Sequence, residues 1–133
     1  MYKYAHALDS GDTAAFLDCF TETASYGSTP SGRMDRGHGE IADFFGRHSH
    51  APEAWHKHLM VEPRITITGD RAGGVSYYAL IQTRASGPFI SHFGRYLDVF
   101  VRCPDGAWRI QSRLNVNEGV APGDVTPHRD KVH

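Results

Sequence analysis

After Pro52 the chain is dominated by four long runs rich in Val, Ile, Tyr and Phe, which leave few folds open. They are His56 to Thr68, Ala72 to Ser86, Pro88 to Arg102 and Ala107 to Asn117. Turn residues separate them at Thr68-Gly69-Asp70, Ser86-Gly87-Pro88 and Pro104-Asp105-Gly106, so the pattern predicts an antiparallel strand meander. Pro63 cannot donate to a ladder, which predicts an edge position or a bulge in the first run. On the last run Trp108, Ile110, Ser112, Leu114 and Val116 alternate with Arg109, Gln111, Arg113, Asn115 and Asn117, a core-like side against a polar one. On the third run His92, Tyr96 and Phe100 share parity opposite Phe93, Leu97 and Val101, so both faces are expected to be covered.

The first third reads helical. Tyr4, Ala7 and Leu8 share a face, Ser10-Gly11-Asp12 breaks the chain, and Asp12 is placed to N-cap a second helix from Thr13 to Phe20. Thr23 to Gly27 reads as a short strand, Thr29-Pro30-Ser31-Gly32 as a turn, and Gly37 to Arg47 as a helix carrying Ile41, Phe44 and Phe45. Helices first and strands after predict an α+β domain, a cone-shaped barrel in which the N-terminal helices pack across the concave side of a curved antiparallel sheet. That domain is expected over 1–118, with a C-terminal tail over 119–133 that reads as a loose segment or a cap over a pocket.

Composition narrows the function. Hydrophobic residues make up 40% of the 133, enough for one globular core around a cavity. A net charge of -1 argues against a nucleic-acid surface, which needs a basic face. No apolar run reaches the ~20 residues of a membrane helix, and Met1 to Ser10 lacks a signal-peptide plan. Cys19 and Cys103 sit in apolar runs and read as free thiols, so a cytoplasmic, reducing location is expected. Gly37-His38-Gly39 and Gly73-Gly74 do not occupy strand-to-helix turns, so no nucleotide is implied.

The segments Tyr4 to Asp12, His58-Leu59, Gly94 to Asp98 and Asp105 to Ile110 resemble, in order and spacing, the SnoaL-like branch of the nuclear transport factor 2-like superfamily. The resemblance covers Tyr4 to Val116 and implies a cone-shaped α+β barrel, commonly a homodimer or higher homo-oligomer. Its functions span dehydratases, isomerases, polyketide cyclases and non-catalytic subunits. The site positions are most similar to those of bile acid 7α-dehydratase, whose Tyr, Asp, His and Arg fall at Tyr4, Asp9, His58 and Arg113. The likeness to scytalone dehydratase and hexachlorocyclohexane dehydrochlorinase is partial. Ser76 to Arg84 has no second His, offering Gln82 and Thr83, and the dehydrochlorinase has Lys where Tyr4 stands.

These four are the expected catalytic residues. A carboxylate bonded to one imidazole nitrogen fixes the tautomer and aims the other nitrogen as a base, while a phenol and a guanidinium stabilise developing charge. Each has a plainer reading: turn residue for Asp9, structural His for His58, core for Tyr4, solvated strand face for Arg113. His92, Tyr26, Tyr96 and Trp55 are the expected substrate contacts, with His92 also a candidate second acid/base. His48, His50, His56 and His58 crowd together and invite a metal reading, but no carboxylate or Cys stands at ligand spacing among them, so no metal and no cofactor are expected. His48, His50 and His56 then read as loop or rim residues. The expected function is a cofactor-independent, dehydratase-like elimination on a hydrophobic oxygenated small molecule, polycyclic ones included. The alternatives are an isomerase or cyclase using the same proton transfer, and a non-catalytic module that binds a small molecule or resembles a dioxygenase small subunit.

Overall fold

The computed structural model describes residues 2–49, 51 and 54–122. His50 and the tail beyond Pro122 lie outside them, so neither the rim reading of that histidine nor the reading of the tail as a cap is addressed. Three helices, α1 (Tyr2–Ser10), α2 (Thr13–Leu17) and α3 (Gly37–His48), accompany six strands: β1 (Phe20–Thr29), β2 (Arg33–Arg36), β3 (Lys57–Thr68), β4 (Arg71–Arg84), β5 (Gly87–Arg102) and β6 (Trp108–Val120). The strands form one curved, unclosed sheet in the order β2-β1-β6-β5-β4-β3, the α+β arrangement expected.

Local chemistry sets the helix boundaries. Gly11 ends α1 at φ 78, a left-handed conformation that favours glycine, and Asp12 N–H donates back to the Ala7 carbonyl at 3.0 Å. Asp12 then caps α2 as expected, its Oδ1 accepting from Ala15 N–H at 2.9 Å. Helix α2 stops at Leu17 rather than Phe20. Ile110 N–H donates to the Cys19 carbonyl at 2.8 Å and Phe20 already pairs with Ile110, so the ladder takes residues that local spacing assigns to the helix.

Two further expectations need correction. Strand β1 begins three residues early and runs parallel to β6, and the short β2, in the gap between the expected turn and the expected helix, pairs back on β1. The sheet is therefore mixed, not wholly antiparallel. Strand β6 also runs to Val120, two residues past the expected domain end. Pro63 behaves as its chemistry requires: β3 is an edge strand, and its register shifts between Val61 and Arg64, with Glu62 at φ 50.

A second bulge reverses the alternation on β6. Ile110 pairs with Phe100 and Ser112 with Val99, so Gln111 is the extra residue, and Ile110 joins Arg113, Asn115 and Asn117 on the concave face. The polar row is thus turned inward, against buried Tyr96, Asp98 and Phe100 of β5. Among the described residues the convex side of the sheet is only partly covered: Phe93 of β5, Tyr77 of β4, and Leu59 and Val61 of β3 lie exposed there. The core sits beneath the helices, where Tyr4, Leu8, Phe16, Phe20, Tyr26 and Phe44 pack together.

Candidate functional site

Asp9 ends up buried because the C-terminal turn of α1 is fastened from two sides. Ser49 Oγ donates to the Leu8 carbonyl at 2.7 Å, tying the end of α3 to the end of α1. The His58 backbone N–H donates to Asp9 Oδ2 at 2.9 Å, tying the same turn to the start of β3. The other carboxylate oxygen meets two imidazoles: His58 Nδ1 at 2.7 Å and His56 Nδ1 at 2.9 Å. Both rings therefore donate through Nδ1–H to an acceptor-only carboxylate, which leaves Nε2 of each as the basic nitrogen.

Burial by itself would raise the Asp9 pKa, but the hydrogen bonds from His56 and His58 outweigh it and hold the carboxyl well below the usual range. His58 moves down from its ordinary 6.5 because burial disfavours the imidazolium more than the Asp9 hydrogen bond and charge favour it. At neutral pH the pair is a carboxylate and a neutral imidazole.

His56 is the residue that sequence reasoning misplaced. Far from a rim position, it is 4% exposed and shares Asp9 with His58. The signal was the His-x-His spacing, since alternation puts both side chains on one face of the strand and its entry. Asp9, His56 and His58 also form the cluster whose ligand atoms lie within 4.8 Å of one another and could hold a metal ion. The sequence reading missed this set because its carboxylate comes from a different element. The observed separations are those of N–H···O bonds, and a metal would need both Nδ1 atoms stripped of hydrogen.

A surface cleft of about 280 Å³ reaches this cluster, lined by Ala5, His6, Asp9, Trp55, His58 and Leu59. Trp55 is 59% exposed and sits beside Lys57, so it borders the cleft rather than an internal hollow. A larger cavity of about 370 Å³ lies at the other end of the concave face, between Tyr4, Cys19, Ile67, Ala72, Phe100 and Trp108.

Tyr4 and Arg113 form a second cluster. Arg113 is 1% exposed and paired with Asp98 through Nε to Oδ1 at 2.7 Å and Nη2 to Oδ2 at 2.8 Å. Its guanidinium lies against the rings of Tyr4 and Tyr96, 4.3 and 4.2 Å from their centroids. Burial would lower the Arg113 pKa, but the hydrogen bonds and charge of Asp98 prevail and raise it, so the side chain stays charged. The solvated-face reading of Arg113 is therefore wrong. Tyr4 O–H donates to the Tyr26 hydroxyl at 3.3 Å, and burial pushes the Tyr4, Tyr26 and Tyr96 phenols up. Five residues is a poor same-face spacing on a helix, and the two ends of α1 diverge accordingly. Tyr4 packs into the aromatic core against Phe16, Phe20 and Tyr96, while Asp9 meets the start of β3.

Of the other expected contacts, His92 is half-buried with Nδ1 3.0 Å from Ser91 Oγ. It lies in one cross-strand row with Leu80 and His58. Cys19 and Cys103 are free thiols, and among the described residues no helix is long and apolar enough to cross a membrane.

Comparison with known proteins places this geometry in a family context. The profile of SnoaL-like domains matches residues 1–114. A single-residue variant of Rv3472 from Mycobacterium tuberculosis, a protein of unknown function, is similar at 25% identity and TM-score 0.79, over 98% of this chain and 76% of that one. A putative aromatic ring hydroxylase from Novosphingobium aromaticivorans is similar at 27% identity and TM-score 0.76, over 91% and 86%. ActVI-ORFA from Streptomyces coelicolor shares the fold at 20% identity and TM-score 0.76, over 86% and 88%. A cystatin-like fold is the description given to a similar structure from Nostoc punctiforme. The comparison with curated proteins found no match.

Proposed function

Because the chain belongs to the family of SnoaL-like domains, we propose that it is a cofactor-independent lyase acting on a hydrophobic oxygenated small molecule, polycyclic ones included. One observation carries this reading: the Asp9 carboxylate fixes the Nδ1–H tautomer of a neutral, buried His58. His58 Nε2 takes a proton from the carbon beside a leaving hydroxyl. The C–H electron pair becomes the new C=C bond, the C–O bond breaks, and the hydroxyl leaves as water by taking that same proton from the His58 imidazolium, which restores the neutral ring. Asp9 stabilises the imidazolium formed in between. Tyr4 and Arg113 act from the buried side, where a charged guanidinium and a phenol favour negative charge building on the substrate. Their own partners, Tyr26 and Asp98, make this a fixed field rather than a mobile donor. His92 and Trp55 contact substrate from the sheet and the cleft rim, and Tyr26 and Tyr96 shape the floor.

The test is turnover by His58→Ala and Asp9→Asn on any hydroxylated substrate that loses water, followed by mass spectrometry. Unaltered turnover in both variants removes the mechanism. A product of unchanged mass assigns the same proton transfer to isomerisation or cyclisation instead.

A second reading takes up the likeness in fold to the beta subunit of a putative aromatic-ring-hydroxylating dioxygenase from Novosphingobium aromaticivorans: a non-catalytic partner subunit or small-molecule-binding module. Stable copurification of a larger chain from the native host would support it. On either reading, the exposed convex face carrying Leu59, Val61, Tyr77 and Phe93 suits a second copy of this chain, as a homodimer or higher homo-oligomer. The two free thiols suit a reducing, cytoplasmic compartment. Neither nucleic acid nor membrane has a part in this reading.

A further inference from the structure

Two ring nitrogens converge on one carboxylate oxygen at the end of α1. His56 Nδ1 lies 2.9 Å and His58 Nδ1 2.7 Å from Asp9 Oδ1, and the two rings stand at 85° with centroids 5.3 Å apart. Once free of hydrogen, both Nδ1 lone pairs point into the space around that single oxygen. The proposed proton transfer needs only the bond from His58. His56, which that transfer does not use, turns the pair into a set of two imidazoles and one carboxylate.

Such a set is chemically selective. Imidazole nitrogen together with carboxylate oxygen suits zinc, whereas magnesium and calcium prefer oxygen ligands alone. Zinc holds these ligands at ~2.0–2.1 Å, which in a tetrahedron sets neighbouring ligand atoms about 3.3–3.4 Å apart. The observed oxygen–nitrogen separations therefore open by roughly half an ångström on binding, a small turn of the carboxylate and rings. The surroundings fit as well. Asp9 Oδ2 accepts from the His58 backbone N–H at 2.9 Å, the kind of outer-sphere bond that orients a ligating carboxylate. The cleft lined by Asp9 and His58 gives a hydrated cation a route in. An ionised Asp9 and a neutral His58 are also the protonation states that a cation requires.

Proton transfer and cation binding use His58 in opposite ways. The base form carries hydrogen on Nδ1, bonded to Asp9, and keeps the Nε2 lone pair for substrate. With Nδ1 on a metal, a neutral ring carries its hydrogen on Nε2, and that lone pair is gone. The two states exclude each other.

We propose that Asp9, His56 and His58 form an inhibitory zinc site, in which the cation replaces both Nδ1 hydrogens and switches off His58 as a base. The inhibition rests on the lyase reading, whereas the cation site itself does not.

The experiment is titration of the metal-free full chain with zinc chloride, and separately with magnesium chloride, at neutral pH, followed by calorimetry and by nitrogen NMR of the imidazoles. One zinc is expected to bind, hydrogen leaving Nδ1 of both His56 and His58 and His58 Nε2 becoming the protonated nitrogen. Magnesium leaves both rings unchanged. His56→Gln and Asp9→Asn each weaken zinc binding at least roughly tenfold, the loss usual even for an outer-sphere partner. His38→Gln, on α3 and bonded to the Phe20 carbonyl, does not. An Nδ1 hydrogen retained on either ring at saturating zinc, an equal response to magnesium, or undiminished affinity in both variants overturns the site. The wild-type spectra decide this even where a variant fails to fold. Turnover of a substrate that loses water should fall in step with zinc occupancy and return on chelation, and a rise would overturn the inhibition. Zinc bound as expected with turnover unchanged removes both the inhibition and His58 as the base, and leaves the cation site standing.

Discussion

Asp9 and Asp98 are both buried acids on the helix-facing side of the same sheet, yet they have partners of different kinds. Asp98 is matched by a single guanidinium in bidentate geometry, flanked by two tyrosine rings. Asp9 holds two imidazoles on one oxygen and a backbone N–H on the other, beside a cleft. An Arg keeps its proton at every working pH, so the Asp98 pair is fixed once the chain folds. Histidine exchanges its proton near neutrality, so the Asp9 cluster can cycle. The contrast separates a fixed charge pair, which can supply only a static field, from a group suited to proton exchange, although sequence reasoning joined members of both in one set.

The largest test of that separation is Asp98→Ala. It strands a buried guanidinium and is expected to cost about 3–5 kcal/mol of stability, read as a lowered denaturant midpoint. Replacing Arg113 and Asp98 together with Met and Leu should recover most of that loss. A double variant as unstable as the single one would show that the charge pair, not the stranded charge, carries the stability.

His58→Ala should show the converse pattern. Turnover is expected to fall about 10²–10⁴-fold, the usual share of a general base, with a smaller change in thermal midpoint. Equal effects of His56→Ala and His58→Ala on turnover would assign the base role to the pair rather than to His58.

The pH profile gives a smaller effect with a definite sign. Because His58 is held below 6.5, its neutral form persists through neutrality, and the acid limb of the activity profile should lie below pH 6.5. The same depression means its contribution to stability is present above about 6.5 and declines as pH falls toward the folded value. Asp9 behaves likewise lower down: its contribution is complete above about 3.9 and is lost as acid approaches its depressed folded value. An activity limb above 6.5 would contradict the neutral-imidazole geometry. The smallest expected effect is that of a chelator. Turnover should not change after EDTA treatment, and a loss restored by zinc would convert Asp9, His56 and His58 into a metal site.

Much of the fold was legible because alternation and turn chemistry act locally. The four long strands, the Asp12 cap and the Pro63 interruption all follow from residues within a few positions. Phe20, β2 and the inward turn of Arg113, Asn115 and Asn117 were not legible, because pairing with distant strands and a bulge at Gln111 decide them. The Asp9–His58 contact was read from resemblance and from the chemistry of the two groups. His56 was missed because its partner lies 47 residues away and its own neighbours look like loop. Asp98 was passed over because a lone acid in an apolar strand gives no local hint of its guanidinium.

The break at Glu62–Pro63 carries a consequence for association. An outermost strand with unbroken pairing groups is a template on which a neighbouring chain could extend the sheet without limit. Here a left-handed residue and an imino acid interrupt that template near its middle. Copies meeting along this border could match only short stretches, so open-ended stacking is discouraged while the broad apolar side remains available for closed, finite assemblies.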